Sequence, residues 1–493
     1  MSSVVGVPIR ATPVARAPPN IAPHIRDQQR NASAMASASK IQITPENTGL
    51  LKVKQTTDAA KKVTELLQED IDTHHAFFND RGYHNHIVHH LLSLFGTGAP
   101  AKDLQFAYNR NKTYQRDLNK PHNRIPEHLE SWPEARNYLG KPEYYPDLFV
   151  YFQGEMEKLG WQEALKKHLF AGTERSDDLL QRMFAGILHP LIQLMYGIEW
   201  AQPAILAAAL AQAGIHKNRL GQFLSRAEKE AAKPDVPPMG AILDLFKAAG
   251  DSEALRRHIT AGDNNNTNRL VNEGIDDAAP FAARVKIKEE ELDERTAETF
   301  QAMLWVAGAA TVHPPNEPRF DFFLIHHVNL SPIFLTINAQ PWIPTAQKVR
   351  ILEWKIRAGL LIWLGVGSPP LDFYKALEYT PKDRTPMSKP EDLLPKFHHV
   401  DDDGHTIKLA RAIVLCHDEL QKYHDRPWVQ IKGEDNWTRL MHLLVDATVE
   451  PEGNRWVRDA GFDSAWEVSN AGQSLLKHFD KSQGYSKAWR SID

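Results

Sequence analysis

Helical periodicity runs through most of this 493-residue chain and constrains its fold more than any other feature. Residues 56–72 place apolar side chains at three- and four-residue spacing, and residues 177–200, 290–310 and 344–364 continue the pattern. Alternating apolar and polar runs, which would indicate strands, are scarce, and hairpin dipeptides are nearly absent. The pattern therefore predicts a mainly α protein, with one large helical body and long loops over residues 46–493.

Residues 1–45 lack this periodicity and are rich in Pro, Ser and Ala. Their prolines prevent a continuous amphipathic helix over the first half of the segment, and Asp27 is its only acidic residue. We expect a disordered N-terminal tail. The arginines and serines of the tail keep an organellar transit peptide open as the alternative.

The composition excludes several classes of function. A net charge of -4 provides no basic field for nucleic acid, and no apolar stretch of about eighteen residues could span a membrane. The single cysteine, Cys416, rules out internal disulfides and thiolate metal sites, and it suits a reducing compartment such as the cytoplasm. Dinucleotide-binding and phosphate-binding glycine motifs are missing. If the chain catalyses redox chemistry, its 23 histidines are the obvious means.

Histidines are the candidate metal ligands. Six of them crowd into one short stretch, where His86 and His90 are four residues apart, the spacing at which one helix offers two imidazoles to a metal. His189 and His326 lie in strongly apolar surroundings, and His405 stands at a predicted helix start behind an acidic cap. Taken singly, each is more simply explained as a core or capping residue satisfied by a neighbour.

Lys355 is the candidate residue that a purely structural role explains least well. Its helical neighbours include Ile351, Leu352 and Ile362, so its side chain lies on an apolar face. Burial favours the neutral amine, which can act as a base, form a Schiff base, or take up carbon dioxide to become a carbamate. The competing interpretation is an ion pair with Glu353 or another acid.

Five short blocks together resemble the questin oxidase-like family of fungal polyketide pathways. They cover residues 77–98, 186–199, 321–326, 349–355 and 403–408, in the order found in that family. The resemblance implies an oxidoreductase of secondary metabolism that opens the central ring of anthraquinones. The family includes enzymes described as NADPH-linked Baeyer–Villiger oxygenases, and non-haem iron dioxygenases whose metal is held by histidines and a carboxylated lysine.

The resemblance also implies roles for particular residues. His405 is assigned a catalytic role beside the metal, in contact with a ligand or with the substrate. His89 is an alternative to His90 as a ligand, and His405 is an alternative to any of the four assigned histidines. The implied ligands of Fe(II) are His86, His90, His189, His326 and Lys355, the lysine carrying a carbamate derived from carbon dioxide.

The implied function is a non-haem Fe(II) dioxygenase that cleaves a C–C bond of an anthraquinone in its reduced form. Its partners would be the aromatic polyketide substrate and dioxygen, and a separate reductase could prepare the substrate. Two alternatives stay open: a metal-independent, NADPH-linked Baeyer–Villiger monooxygenase, and a non-catalytic helical scaffold. A flat substrate would need an apolar slot, and its candidate walls are Trp305, Phe322, Phe323, Trp354 and Trp363. Most of these aromatic residues are expected to be ordinary core residues.

Overall fold

The prediction of a mainly α protein is confirmed. The computed structural model describes residues 36–122, 125–263, 265–383, 387, 389–451 and 454–471, and within these the β-type pairings are three isolated bridges. The main helices are α1 (Thr57–Thr73), α2 (Ile87–Gly96), α3 (Ala101–Asn111), α4 (Tyr145–Leu159), α5 (Trp161–Leu169), α6 (Glu174–Arg182), α7 (His189–Glu199), α8 (Pro203–Ile215), α9 (Gly221–Ala231), α10 (Ile242–Asp251), α11 (Asn266–Asn272), α12 (Ile275–Ala282), α13 (Leu292–Ala309), α14 (Phe322–Leu330), α15 (Ile333–Asn338), α16 (Thr345–Gly365), α17 (His405–Leu420), α18 (Glu434–Thr448) and α19 (Asp463–Ala471).

Shorter helical pieces connect the main helices. Single α-helical turns span Ile125–His128, Trp132–Ala135, Glu253–Arg256 and Tyr374–Leu377. The 3₁₀ segments are Lys112–Tyr114, Pro142–Tyr144, Glu289–Glu291, Pro390–Phe397 and Gln421–Tyr423. Among the described helices, none combines the length and the apolar character needed to cross a bilayer.

Residues 1–35 of the predicted N-terminal tail lie outside the described residues. Residues 36–45, which the sequence assigned to the same tail, lie against the helical body instead. The side chains of Ile41 and Ile43 are buried, and their backbone N–H groups donate to Gln68 on α1 (2.8 Å) and to Thr64 on α1 (3.0 Å). Two buried isoleucines and the hydrogen bonds of their backbone N–H groups thus hold this segment against α1.

The core is built around helices that are buried on all sides. Every residue of α8 is buried, and α4 and α7 pack on it. A helix that is apolar all round has no solvent face, so it must lie at the centre of the body. Helix α7 also packs against α2 and α14, and α17 packs against both α2 and α14. Four helices from distant parts of the chain, α2, α7, α14 and α17, therefore meet inside the body.

Candidate metal centre

Four imidazoles meet where these helices converge, and we refer to them as the four-histidine cluster. His86 immediately precedes α2, His189 and His405 begin α7 and α17, and His326 lies within α14. The Nε2 atoms of His86 and His189 are 2.8 Å apart, and those of His326 and His405 are 3.1 Å apart. The rings of His86 and His405 are also in contact, with centroids 4.7 Å apart. All four side chains are buried.

The opposite ring nitrogen of each histidine has an acceptor outside the cluster. The acceptors of the Nδ1–H groups are Gly186 O for His189 (2.5 Å), Phe322 O for His326 (2.6 Å), and the Asp403 carboxylate for both His86 (2.9 Å) and His405 (2.5 Å). A neutral imidazole carries one N–H, so a proton on Nδ1 leaves a lone pair on Nε2. Two pairs of Nε2 lone pairs therefore face each other at hydrogen-bond distance. Ligand nitrogens of His86, His189 and His405 also lie within 4.8 Å of one another, an arrangement that a cation would stabilise.

Burial keeps the cluster in the form that binds metals. Desolvation lowers the pKa of His86 to about 4, although the Asp403 carboxylate opposes this shift. Desolvation also holds the pKa values of His189 and His326 well below the usual range. Neutral imidazole is the ligand form, so near neutral pH no proton has to be displaced from Nε2 before a metal binds.

A strained turn presents His189 to the cluster. Gly186, Ile187 and Leu188 have φ values of 52°, 52° and 68°, so three successive residues lie in the left-handed region. A β-branched residue such as Ile187 rarely adopts this conformation, and such strain is typical of functional sites. Gly186 is also required by close packing, because a Cβ there would lie 2.5 Å from Cε1 of His216.

An acidic cap starts α17 and positions His405, as the sequence predicts. The Asp402 carboxylate accepts hydrogen bonds from the backbone N–H groups of Gly404 (2.8 Å) and Thr406 (2.9 Å). Asp403 then bridges His405 and His86, so a single carboxylate fixes the orientation of two rings on different helices. A carboxylate that holds ligand imidazoles through Nδ1–H is a common feature of metal sites.

His90 takes a different place from the one its spacing suggests. Its Nε2 lies 3.9 Å from the Asp402 carboxylate, and its Cβ lies 2.6 Å from the position a Cβ on Gly404 would occupy. The four-residue rule applies to two residues inside one helix, but His86 precedes the helix with ψ near 0°. The His89 ring lies at the margin of the cluster, with its centroid 5.6 Å from that of His86.

Lys355 is buried on α16, as its apolar face predicts, and it contacts another histidine. Its Nζ lies 3.1 Å from Nδ1 of His327, and desolvation holds its pKa well below the usual range. Glu353, the expected competing partner, pairs with Arg357 (3.1 Å) and accepts the backbone N–H of Ile287. The structure therefore brings His86, His189 and His326 together with His405, and it pairs Lys355 with His327.

Lys408 was not singled out from the sequence. It follows His405 by three residues on α17, so both side chains leave the same face of that helix. Lys408 is buried, and within the described part of the chain its Nζ has no hydrogen-bond partner. Its positive charge lowers the pKa values of His86, His189, His326 and His405. Desolvation lowers the pKa of Lys408 itself to about 8, against the carboxylates of Asp403 and Asp402.

A cavity of about 310 Å³ is lined by residues of the segments that carry His189 and His326, although none of the four cluster histidines is among its lining residues. Leu188, which immediately precedes His189, lines it together with Phe184 and Phe323, and His216 and His327 contribute polar edges. This volume lies at the small end of the range for ligand pockets, about 300–1,000 Å³.

The aromatic residues suggested as slot walls divide into three groups. Phe323 lines the cavity, and the Phe322 ring packs against the rings of His326 and His405 with both centroid distances at 4.9 Å. The indole N–H groups of the three tryptophans bond to other parts of the structure. Trp305 donates to Leu371 O, Trp354 to the Glu228 carboxylate, and Trp363 to Pro369 O. The tryptophans are therefore core residues, as expected for most of the five.

Sequence comparison places the chain among known proteins. The model of the family described as Questin oxidase-like matches residues 83–413, a span that holds the whole four-histidine cluster and Lys408. The chain belongs to the questin oxidase-like family. The resemblance inferred from the five short blocks is thereby confirmed.

Curated relatives match almost from end to end. The Baeyer-Villiger monooxygenase dmxR6 of a Cryptosporiopsis species is 33% identical over 443 residues, which cover 87% of this chain and 98% of the relative. The questin oxidase of Aspergillus fumigatus is 30% identical over 453 residues, covering 88% and 99%. Oxidoreductase AflY of Aspergillus parasiticus is 30% identical over 407 residues, covering 81% of each chain. These names support an oxidoreductase activity.

Proposed function

We propose that this protein is a non-haem Fe(II) dioxygenase that cleaves a C–C bond of an anthraquinone in its reduced form, in fungal secondary metabolism. The observation that carries the proposal is the pairing of the four Nε2 atoms at 2.8 Å (His86 with His189) and 3.1 Å (His326 with His405), with all four Nδ1–H groups directed to acceptors outside the cluster. The proposed histidine ligands are His86, His189, His326 and His405. His405 thus moves from the role beside the metal to the ligand position expected for His90.

Fe(II) suits this donor set. Imidazole nitrogen binds the divalent first-row metals from iron to zinc, and the names of the relatives, oxidase and monooxygenase, favour a redox-active metal over zinc. When bound, Fe(II) supplies the ability to react with dioxygen. The protein holds the ring orientations through Asp403, Gly186 and Phe322, and it keeps bulk water away by burying all four histidines.

The anionic ligand is proposed to be a carbamate on a buried lysine. The sequence favoured Lys355, whereas the position of Lys408 suits this role better. Lys408 shares a helix face with His405 and has no hydrogen-bond partner in the described chain, while the amine of Lys355 is engaged by His327. Once the Lys408 ammonium has lost a proton, its neutral amine can form an N–C bond to carbon dioxide and release a second proton, which gives a carbamate anion able to act as an oxygen ligand.

The cavity of about 310 Å³ is the proposed substrate site. Its walls include Phe184, Leu188 and Phe323, which suit the faces of a flat aromatic compound, and His216 and His327 offer polar contacts at the edges. Leu188 and Phe323 belong to the same segments as His189 and His326, so a ring held against them would contact the two segments that carry these histidines.

The second candidate is a metal-independent, NADPH-linked Baeyer–Villiger monooxygenase. Names of several relatives favour it, including dmxR6 and a Baeyer-Villiger oxidase from Pestalotiopsis fici. It assigns no function to the converging Nε2 atoms. A third candidate, a non-catalytic helical scaffold, assigns no function to the cavity either.

Metal analysis combined with turnover distinguishes the three candidates. Protein reconstituted anaerobically with Fe(II) and then desalted should retain about one iron per chain and consume dioxygen with a reduced hydroxyanthraquinone. His326→Ala should remain folded by circular dichroism while it loses both iron and turnover. Full turnover in excess chelator, with iron below about one-tenth per chain, would refute the iron proposal and favour the Baeyer–Villiger candidate. Absence of turnover with and without NADPH and iron would favour the scaffold.

A further inference from the structure

Asp459 places a carboxyl group in the wall of the cavity, outside the four-histidine cluster. It belongs to the segment 456–462, which lies between α18 and α19 and which we call the 456–462 loop. The other carboxylate at this cavity, Asp80, forms an ion pair with Arg116, and its side chain is 99% exposed. Within the described chain the Asp459 carboxyl has no hydrogen-bond partner, so it is available to a molecule in the cavity.

The 456–462 loop is held firmly against the two helix ends that border the cavity. Its hydrogen bonds are Val457 N to Phe320 O (3.1 Å), Phe322 N to Val457 O (2.8 Å), Ala460 N to the Asp321 carboxylate (2.9 Å) and Gly461 N to Val366 O (2.9 Å). Asp321 is the N-cap of α14, and Val366 follows the end of α16. The loop thereby fixes the position of Asp459 relative to Phe323 and His327, which line the same cavity.

The backbone at Asp459 is strained. Its φ of 62° lies in the left-handed region, which is uncommon for residues other than glycine, although Asp and Asn tolerate it best. Its carbonyl closes a tight turn by accepting the N–H of Phe462 (3.0 Å). Strained residues persist where the surroundings hold them, and they concentrate at functional sites. Here the strained position carries the carboxyl group that lines the cavity.

The electrostatic setting of Asp459 suits proton exchange near neutral pH. Desolvation, followed by the neighbouring Asp321 carboxylate, raises the pKa of Asp459, and the Arg458 guanidinium opposes both, so that the pKa is raised to about 7. A base works best when its pKa lies near the working pH. The other titratable or charged groups that line the cavity are Asp80, His216, Lys217, Arg219 and His327.

We propose that Asp459 is a catalytic base that accepts the phenolic proton of the aromatic substrate in this cavity. This inference rests on the proposed function, because it takes a hydroxylated anthraquinone as the occupant. In the step, the substrate O–H bond breaks and an O–H bond to the Asp459 carboxylate forms. The electron pair stays on the substrate oxygen, so the substrate becomes a phenolate, which is more easily oxidised than the phenol.

The test is an anaerobic binding titration, recorded by absorbance, with 2-hydroxyanthraquinone as the probe. Hydroxyanthraquinones absorb at longer wavelength as phenolates than as phenols, so the protonation state of the bound probe is visible without turnover. The key variant is Asp459→Asn, since Asn keeps the shape of the side chain and tolerates the left-handed backbone. Asp463→Asn, in which the lost carboxylate is 90% exposed, is the matched control.

Wild type and Asp463→Asn should bind the probe as the phenolate at pH 7.5, and Asp459→Asn should bind it as the phenol. In iron-loaded protein, Asp459→Asn should lower kcat about 100-fold or more with unchanged iron content. The rise of kcat/KM with pH through about 7 should also disappear in that variant. A phenolate spectrum in Asp459→Asn, or a phenol spectrum in wild type, would overturn the assignment of Asp459 and leave the proposed function standing. Failure of wild type to bind the probe would overturn the proposed function itself.

Discussion

Two buried lysines of this protein lie in opposite settings. Lys408 follows His405 on α17, close to the carboxylates of Asp402 and Asp403, and it has no hydrogen-bond partner among the described residues. Lys355 lies on α16, where the ring of His327 occupies its amine. Both amines are desolvated, so burial alone does not distinguish them. Their neighbours distinguish them, because a carbamate formed on the amine next to the four-histidine cluster can supply the negative charge that four imidazoles do not provide.

The largest expected effect is the difference between the two lysine variants. Lys408→Met should reduce bound iron at least about tenfold and turnover at least about 100-fold, because the anionic ligand is lost. Lys355→Met should keep its iron, since its amine is paired with His327. The iron that each variant retains per chain is measured after anaerobic reconstitution and desalting, and turnover is measured on the same protein. The reverse outcome, with iron lost only in Lys355→Met, would restore the assignment made from the sequence.

Labelling with carbon dioxide should distinguish the two lysines without reference to iron. Wild type and Lys355→Met incubated with ¹³C-bicarbonate should show a carbamate carbon signal by NMR, and Lys408→Met should not. Only the neutral amine reacts, and the pKa of Lys408 is lowered to about 8, so labelling should increase as the pH rises through about 8. A signal of equal size in all three proteins would assign the carbamate to another group.

A smaller effect is expected from the carboxylate that orients the rings. Asp403→Asn should weaken Fe(II) binding about 10- to 100-fold, because His86 and His405 lose the acceptor that fixes their Nδ1 protons. Asp418→Asn, at a half-exposed site on α17, serves as the control. Competitive titration with a chelator of known affinity measures the change. Equal affinity in the two variants would show that Asp403 does not orient the ligands.

An effect without any loss of iron or turnover near neutral pH is expected on stability at acid pH, from a histidine that lines the cavity. Desolvation lowers the pKa of His216 to about 3, against about 6.5 in an unfolded chain. The unfolded state therefore binds the extra proton first, so the stabilisation is complete above about pH 6.5 and is lost as the pH falls toward 3. The expected loss is about 1.4 kcal/mol per pH unit, measured by urea unfolding of the metal-free protein. His216→Gln should show a shallower decline, and an identical decline would contradict the assigned pKa.

The helical fold was predictable because periodic apolar positions report burial directly. His86, His189 and His326 were also proposed from the sequence, and the structure places them together with His405; metal binding by these residues stays a prediction. His90 was assigned from its four-residue spacing and from the family resemblance, but His86 precedes the helix with ψ near 0°, and His90 lies beside the Asp402 carboxylate. Lys408 was detectable as the residue three positions after His405. Its neighbours in sequence gave no reason to prefer it over Lys355, because the partners that distinguish the two lysines come from other helices.

The most direct test is a crystal structure of the protein loaded anaerobically with Fe(II), with anomalous data collected at the iron edge. We expect one iron peak between the Nε2 atoms of His86, His189, His326 and His405, with planar carbamate density beyond Nζ of Lys408. A peak elsewhere, or a free amine at Lys408 with the carbamate on Lys355, would contradict it.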